Sequence, residues 1–171
     1  GTCFSCSDTI RTIKYLKLKV DVEVPAGVHF SDVTVSCPVE DARLSGNGVL
    51  TLSGLPDGPF LATVAVDGTP IAFSFIDPAS DGNSISCRET AVSIVMLNSL
   101  LFAIPYPLLP QALEMVRSLP EVQLYAEYLC FELSQNLNTL VTQPTLGAHE
   151  DTLLYTAVLA VYEALEEMTY H

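Results

Sequence analysis

The apolar residues of this chain change period once, between Cys87 and Thr90. Before that point, short β-branched runs are separated by Gly, Pro, Asn and Asp. After it, apolar residues recur at helical spacing, and of the nine glycines only Gly147 lies there. A period of two places side chains on one face of a strand, and a period near 3.6 places them on one face of a helix. The chain therefore reads as α+β: an antiparallel β-sandwich of about six or seven strands, then a C-terminal bundle of about four helices. Residues 1–9 read as an N-terminal arm, 10–87 as the sandwich and 88–171 as the helical region. The join is too short for independent domains. The helices are expected to pack on the sandwich or on a neighbouring subunit.

Within the first half, Ile10–Val24 alternates apolar residues with Lys17, Lys19, Asp21 and Glu23, the pattern of a half-buried strand. Further strands are expected at 33–37, 49–52, 60–66, 69–76 and 85–87. Glu40–Gly48 holds the turn Ser45-Gly46-Asn47-Gly48, and Asp67-Gly68 reads as a hairpin turn. In the second half, Thr90 is the expected cap of a first helix reaching about Ile104, where Pro105 and Pro107 end it. A second helix is expected over Leu109–Ser118. A third, capped by Ser118, carries Val122, Tyr125, Leu129, Leu133 and Leu140. A fourth, Glu150–Thr169, has an apolar stripe of Leu154, Ala157 or Val158, Val161, Leu165 and Met168.

Hydrophobic residues make up 49% of the chain and the mean hydropathy is +0.38. So apolar a chain must bury a large surface, internally or against partners. Seven basic residues stand against 20 acidic ones, for a net charge of −13. Both halves are net negative, which disfavours nucleic acid and anionic membrane surfaces as partners. Arg11, Lys14, Lys17 and Lys19 fall along one strand and read as a solvated face that blunts aggregation. The apolar stretch Ala91–Ile104 is short of the ~20 residues of a membrane span and contains Ser93, Asn98 and Ser99. It reads as a buried helix, and no direct span is expected. No signal peptide is visible. The chain reads as a mature or trimmed form, for which a lipid anchor at the trimmed N-terminus is one option.

The five cysteines are Cys3, Cys6, Cys37, Cys87 and Cys130. Cys37 and Cys87 end strand-like runs, so a bridge between them across the sandwich is expected. Cys3 and Cys6 are further disulfide candidates. Their C-x-x-C has no strand before it and no helix signal after it, which does not suit a thioredoxin-type site. Zinc needs about four ligands, and no second pair supplies them. Cys130 sits in an apolar helical run and reads as a small buried hydrophobe. Disulfides place the chain in an oxidising compartment, extracellular or at the cell surface. The odd count leaves at least one thiol free or paired between chains.

The block Gly48-Val-Leu-Thr-Leu-Ser-Gly54-Leu55-Pro56-Asp-Gly58-Pro-Phe-Leu-Ala-Thr-Val-Ala-Val66-Asp67-Gly68 resembles the carboxypeptidase-regulatory-like (prealbumin-like) β-sandwich modules of secreted and cell-surface proteins. The second half, with a Thr/Ala-rich helix and a Leu-Pro-Glu helix start, is similar to uncharacterised bacterial exported proteins with the same order of parts. The resemblance implies a scaffold or adhesion element and supplies no catalytic residues.

Catalytic patterns are missing from the sequence. His29, His149 and His171 show no ligand spacing, and no nucleophile elbow, phosphate-binding loop or dinucleotide fingerprint occurs. Glu163, Glu166 and Glu167 read as a solvated helix face. Asp77, Asp81 and Asn83 offer oxygen ligands at short spacing and are weak calcium candidates; an Asx-rich turn is the plainer reading. The expected function is that of a non-enzymatic extracellular or cell-surface structural or interaction protein without a cofactor, acting on a protein partner or by self-association. One version is a self-assembling subunit whose arm, Gly1–Thr9, pairs with a neighbour's sheet edge or forms a disulfide between chains. The alternative is a carrier of a small apolar ligand between the helices, lined by Leu100–Leu109 and by Tyr106, Tyr125, Tyr128, Tyr155 and Tyr162.

Overall fold

The alternation in Leu18-Lys-Val-Asp-Val22 puts three apolar side chains on one face and the charges on the other. In the computed structural model, which describes residues 16–99, 105–142 and 148–170, this segment is strand β1 (Leu18–Val22), with the apolar face buried. The other strands are β2 (Val33–Ser36), β3 (Asp41–Leu44), β4 (Val49–Ser53), β5 (Phe60–Val66), β6 (Thr69–Ile76) and β7 (Ser84–Ile85). They form a four-stranded sheet in the order β3-β4-β1-β7 and a three-stranded sheet in the order β2-β5-β6. The arm and the start of the expected first strand lie outside the described residues.

Two differences from the sequence pattern concern the four-stranded sheet. Residues 41–44, where no strand is expected from the sequence, form β3 and pair antiparallel with β4. Asp41-Ala-Arg-Leu44 alternates over only four residues and is mostly exposed, as an edge strand with little to bury. The Arg43 Nε donates to Asp41 Oδ2 at 3.0 Å, and such charges protect an open edge. The last strand, β7, pairs with β1 in parallel rather than antiparallel. The chain reaches it from β6 in the opposite sheet, and a crossing between sheets does not force the reversal that a hairpin does.

The β5–β6 hairpin turns at Asp67-Gly68, with φ of 49° and 79°. Positive φ at both central residues is the two-residue turn that matches strand twist. Within the hairpin, Val64 faces Ala72 while Ala65 faces Pro70, so Ile71 is an extra residue. This bulge turns both Ile71 and Ala72 into the sandwich core. At Gly48 (φ +86°), a Cβ would come within 2.6 Å of Phe30 Cζ and 3.0 Å of the Val22 carbonyl oxygen. The close approach of this turn to β1 thus requires glycine.

The helices are α1 (Cys87–Asn98), α2 (Leu109–Ser118), α3 (Pro120–Gln135) and α4 (Ala148–Tyr170). Ser86, not Thr90, caps α1: its Oγ accepts the Glu89 N–H at 3.1 Å. Ser86-x-x-Glu89 is a capping-box pattern, placed before the residue at which the apolar run begins. Strand and helix therefore meet at a single residue, and Cys87 is helical rather than the end of a strand. The helix α1 stops at Asn98; residues 100–104 lie outside the described part. Helix α2 has the expected limits. The helix α3 begins after Leu119 without a side-chain cap, and the Ser118 Oγ donates to the Met115 carbonyl instead. It ends at Gln135, and Leu140 reaches the helical core from the turn beyond it.

Two buried clusters result. The sandwich core gathers Val20, Leu50, Leu52, Ala62, Val64, Ile76 and their neighbours. The helical core gathers Val95, Met96, Val116, Tyr125, Leu129, Leu133, Ala157 and Val161, with Phe73 and Phe75 packed against it from β6. The three-stranded sheet is thus covered on both faces, by the other sheet on one side and by α1 on the other. A helix laid on β6, the edge strand of that sheet, also protects its backbone from unwanted pairing.

Candidate functional site

The disulfide does not join Cys37 to Cys87. Cys87 pairs with Cys130, with a Cα–Cα distance of 5.2 Å, and Cys37 is a free thiol. Topology gives the reason. Cys37 follows β2 on one edge of the three-stranded sheet, whereas Cys87 opens the helix that covers β6 on the other edge. Two strand spacings, roughly 10 Å, separate those edges, beyond the reach of a disulfide. The sequence pattern hid the role of Cys130, which reads as core because Leu129 and Leu133 beside it are core. Burial pushes the Cys37 thiol above its ordinary pKa, so it is a poor nucleophile. Cys3 and Cys6 lie outside the described residues.

The loop after β6 is closed by its own side chains. The Asn83 Oδ1 accepts the Asp77 N–H at 2.9 Å, and its Nδ2 donates to the carbonyls of Asp77 (2.8 Å) and Ser80 (2.7 Å). The Asp77 Oδ1 accepts the Ala79 N–H at 3.0 Å. Asn83 thereby acts as a staple, and its nitrogen occupies the carbonyl oxygens that a cation would need. Among the described residues no group of three or more His, Cys, Asp or Glu side chains is placed to hold a metal ion. His29 is exposed, as are Glu163, Glu166 and Glu167, while the side chains of His149 and His171 lie outside the described part.

The tyrosines are dispersed. Tyr125 is fully buried, Tyr155 is 65% exposed, and Tyr128 and Tyr162 are half-buried. The Tyr106 side chain and residues 100–104 lie outside the described part. Two clefts between described residues touch the helices. One, of about 110 Å³, lies beside the disulfide, between Pro25, Ala72 and Leu133. The other, of about 180 Å³, lies between α1, the end of α2 and the start of α3. It holds the ion pair in which the Arg117 Nε–H is shared between Glu89 Oε1 and Oε2, at 2.9 and 3.0 Å. The Arg117 Nη1 donates to Glu114 Oε1 at 2.7 Å.

The outer surface of α3 is unusual for a solvent face. Leu124 and Phe131, seven residues apart and so on one side of the helix, are 55% and 62% exposed. Half-buried Tyr128 and exposed Glu127 lie between them. Val141, in the turn after the helix, is 56% exposed. The sequence signal was available, since Leu124 and Phe131 fall off the core stripe. Among the described residues no helix is long and apolar enough to cross a membrane.

Compared with models of protein families, with curated proteins and with solved structures, the chain has no match.

Proposed function

We propose that this chain is a non-enzymatic extracellular or cell-surface protein that works through protein contacts, with self-association through the α3 face as its principal form. The observation that carries the reading is the exposed pair Leu124 and Phe131 on one side of a well-formed helix. Large apolar side chains grouped on a surface mark interaction sites. The Cys87–Cys130 bridge supports an oxidising compartment. The likeness of residues 48–68 to prealbumin-like modules is part of the same proposal, since those modules serve as scaffolds. The thiol of Cys37 is partly buried and its pKa is raised, which disfavours a covalent link through it.

Static light scattering over a concentration series tests the reading. The average mass is expected to rise above 18.5 kDa with concentration, and the double variant Leu124→Glu/Phe131→Glu is expected to remain at the monomer mass. A monomer at every concentration overturns self-association.

A further inference from the structure

We infer that the cleft between α1, α2 and α3 is a binding site for a small aliphatic monocarboxylate, its carboxylate held by Arg88 and its tail resting on Val92, Val122 and Ala126. Basic residues are scarce in this chain, and residues 88–171 contain two of them, Arg88 and Arg117. Both line this one cleft. Arg117 is committed to Glu89 and Glu114. Arg88 is exposed and has no ion-pair or hydrogen-bond partner among the described residues. A guanidinium fork matches a carboxylate with two parallel hydrogen bonds.

Charge and size narrow the ligand. Arg117 is neutralised by Glu89 and Glu114, which leaves Arg88 as the cleft's guanidinium without an ion-pair partner among the described residues. A dianion would meet Glu89 and the field of a chain at −13. The apolar floor favours an aliphatic tail over a polar one. A cleft of about 180 Å³ suits an acid of butyrate size and would leave most of a long fatty-acid chain in solvent. The site does not rest on the self-association reading, because a monomer can bind the acid and an oligomer can fail to.

An amide-detected NMR titration with sodium butyrate, at constant ionic strength, tests the assignment. Butyramide serves as the neutral isostere. Saturating shifts are expected at amides of α1 near Arg88 and of α3 near Val122, with a Kd on the order of 1 mM. Butyramide and the variant Arg88→Gln are each expected to bind at least about tenfold more weakly. Arg88 is exposed, so the variant should unfold at the same denaturant midpoint as the parent. Shifts that fail to saturate by about 50 mM butyrate, an equal response to butyramide, or unchanged binding by Arg88→Gln would each overturn it.

Discussion

The hydroxyl of Thr90 accepts the backbone N–H of Phe73 at 3.0 Å, while it donates to the Ser86 carbonyl at 2.7 Å. One buried oxygen thus ties the first turn of α1 to the outer edge of β6. It is a polar link between the two halves, inside a contact otherwise made by Phe73, Phe75 and the helical core. A valine in its place would leave the Phe73 N–H buried without a partner. Thr90→Val is expected to destabilise by about 1–3 kcal/mol, and Thr90→Ser by clearly less, as read by urea unfolding. Equal stability of the two variants would show that this bond does not join the halves.

The bridge between Cys87 and Cys130 spans a sequence separation of 43. It fixes the start of α1 to α3. Reduction, or Cys130→Ala, is expected to lower stability by about 2–4 kcal/mol through the freedom returned to the unfolded chain. Non-reducing peptide mapping should yield the linked pair of fragments containing these two cysteines. A linked Cys37–Cys87 fragment instead would contradict this topology.

The element order could be read from the sequence because period is a strong local signal. β5, β6 and α2 have the limits that their apolar patterns imply. The features that escaped were set by distant partners. β3 alternates over only four residues, too few to stand out beside a turn, and its strand is completed by the backbone that β4 offers it. The Cys87–Cys130 pair depends on how α3 lies across α1, which no spacing encodes. The cap at Ser86 is legible as Ser-x-x-Glu, although Thr90 is the polar residue that stands directly before the apolar run. The cleft with both arginines joins three helices, and only their packing brings Arg88 and Arg117 together.

Burial holds the Cys37 thiol protonated to higher pH than in the unfolded chain. As pH rises, the unfolded thiol ionises first, so the folded state carries the extra proton. Stability contributed by Cys37 should therefore fall from about pH 8 upward, by at most ~1.4 kcal/mol per unit. The comparison is with Cys37→Ala, which keeps every other alkaline titration. The parent's advantage over the variant is expected to shrink as pH rises. Parallel stability curves would mean that the thiol is not desolvated by the fold.

Copies of a chain with net charge −13 repel one another. Salt screens that repulsion, and apolar contact survives the screening. Self-association through Leu124 and Phe131 should therefore strengthen between about 0.05 and 0.5 M salt. Sedimentation velocity would show a rising average coefficient across that range. Dissociation by salt would point to contacts between opposite charges and away from the apolar face.

Amide hydrogen exchange, compared between dilute and concentrated solutions, tests most directly whether α3 is the contact surface. Exchange is expected to slow at high concentration in α3 and in the turn that carries Val141, with the strands unchanged and the effect lost in Leu124→Glu/Phe131→Glu. Protection that appears at the open edges of β2 or β3 while α3 is unaffected would contradict self-association through this face.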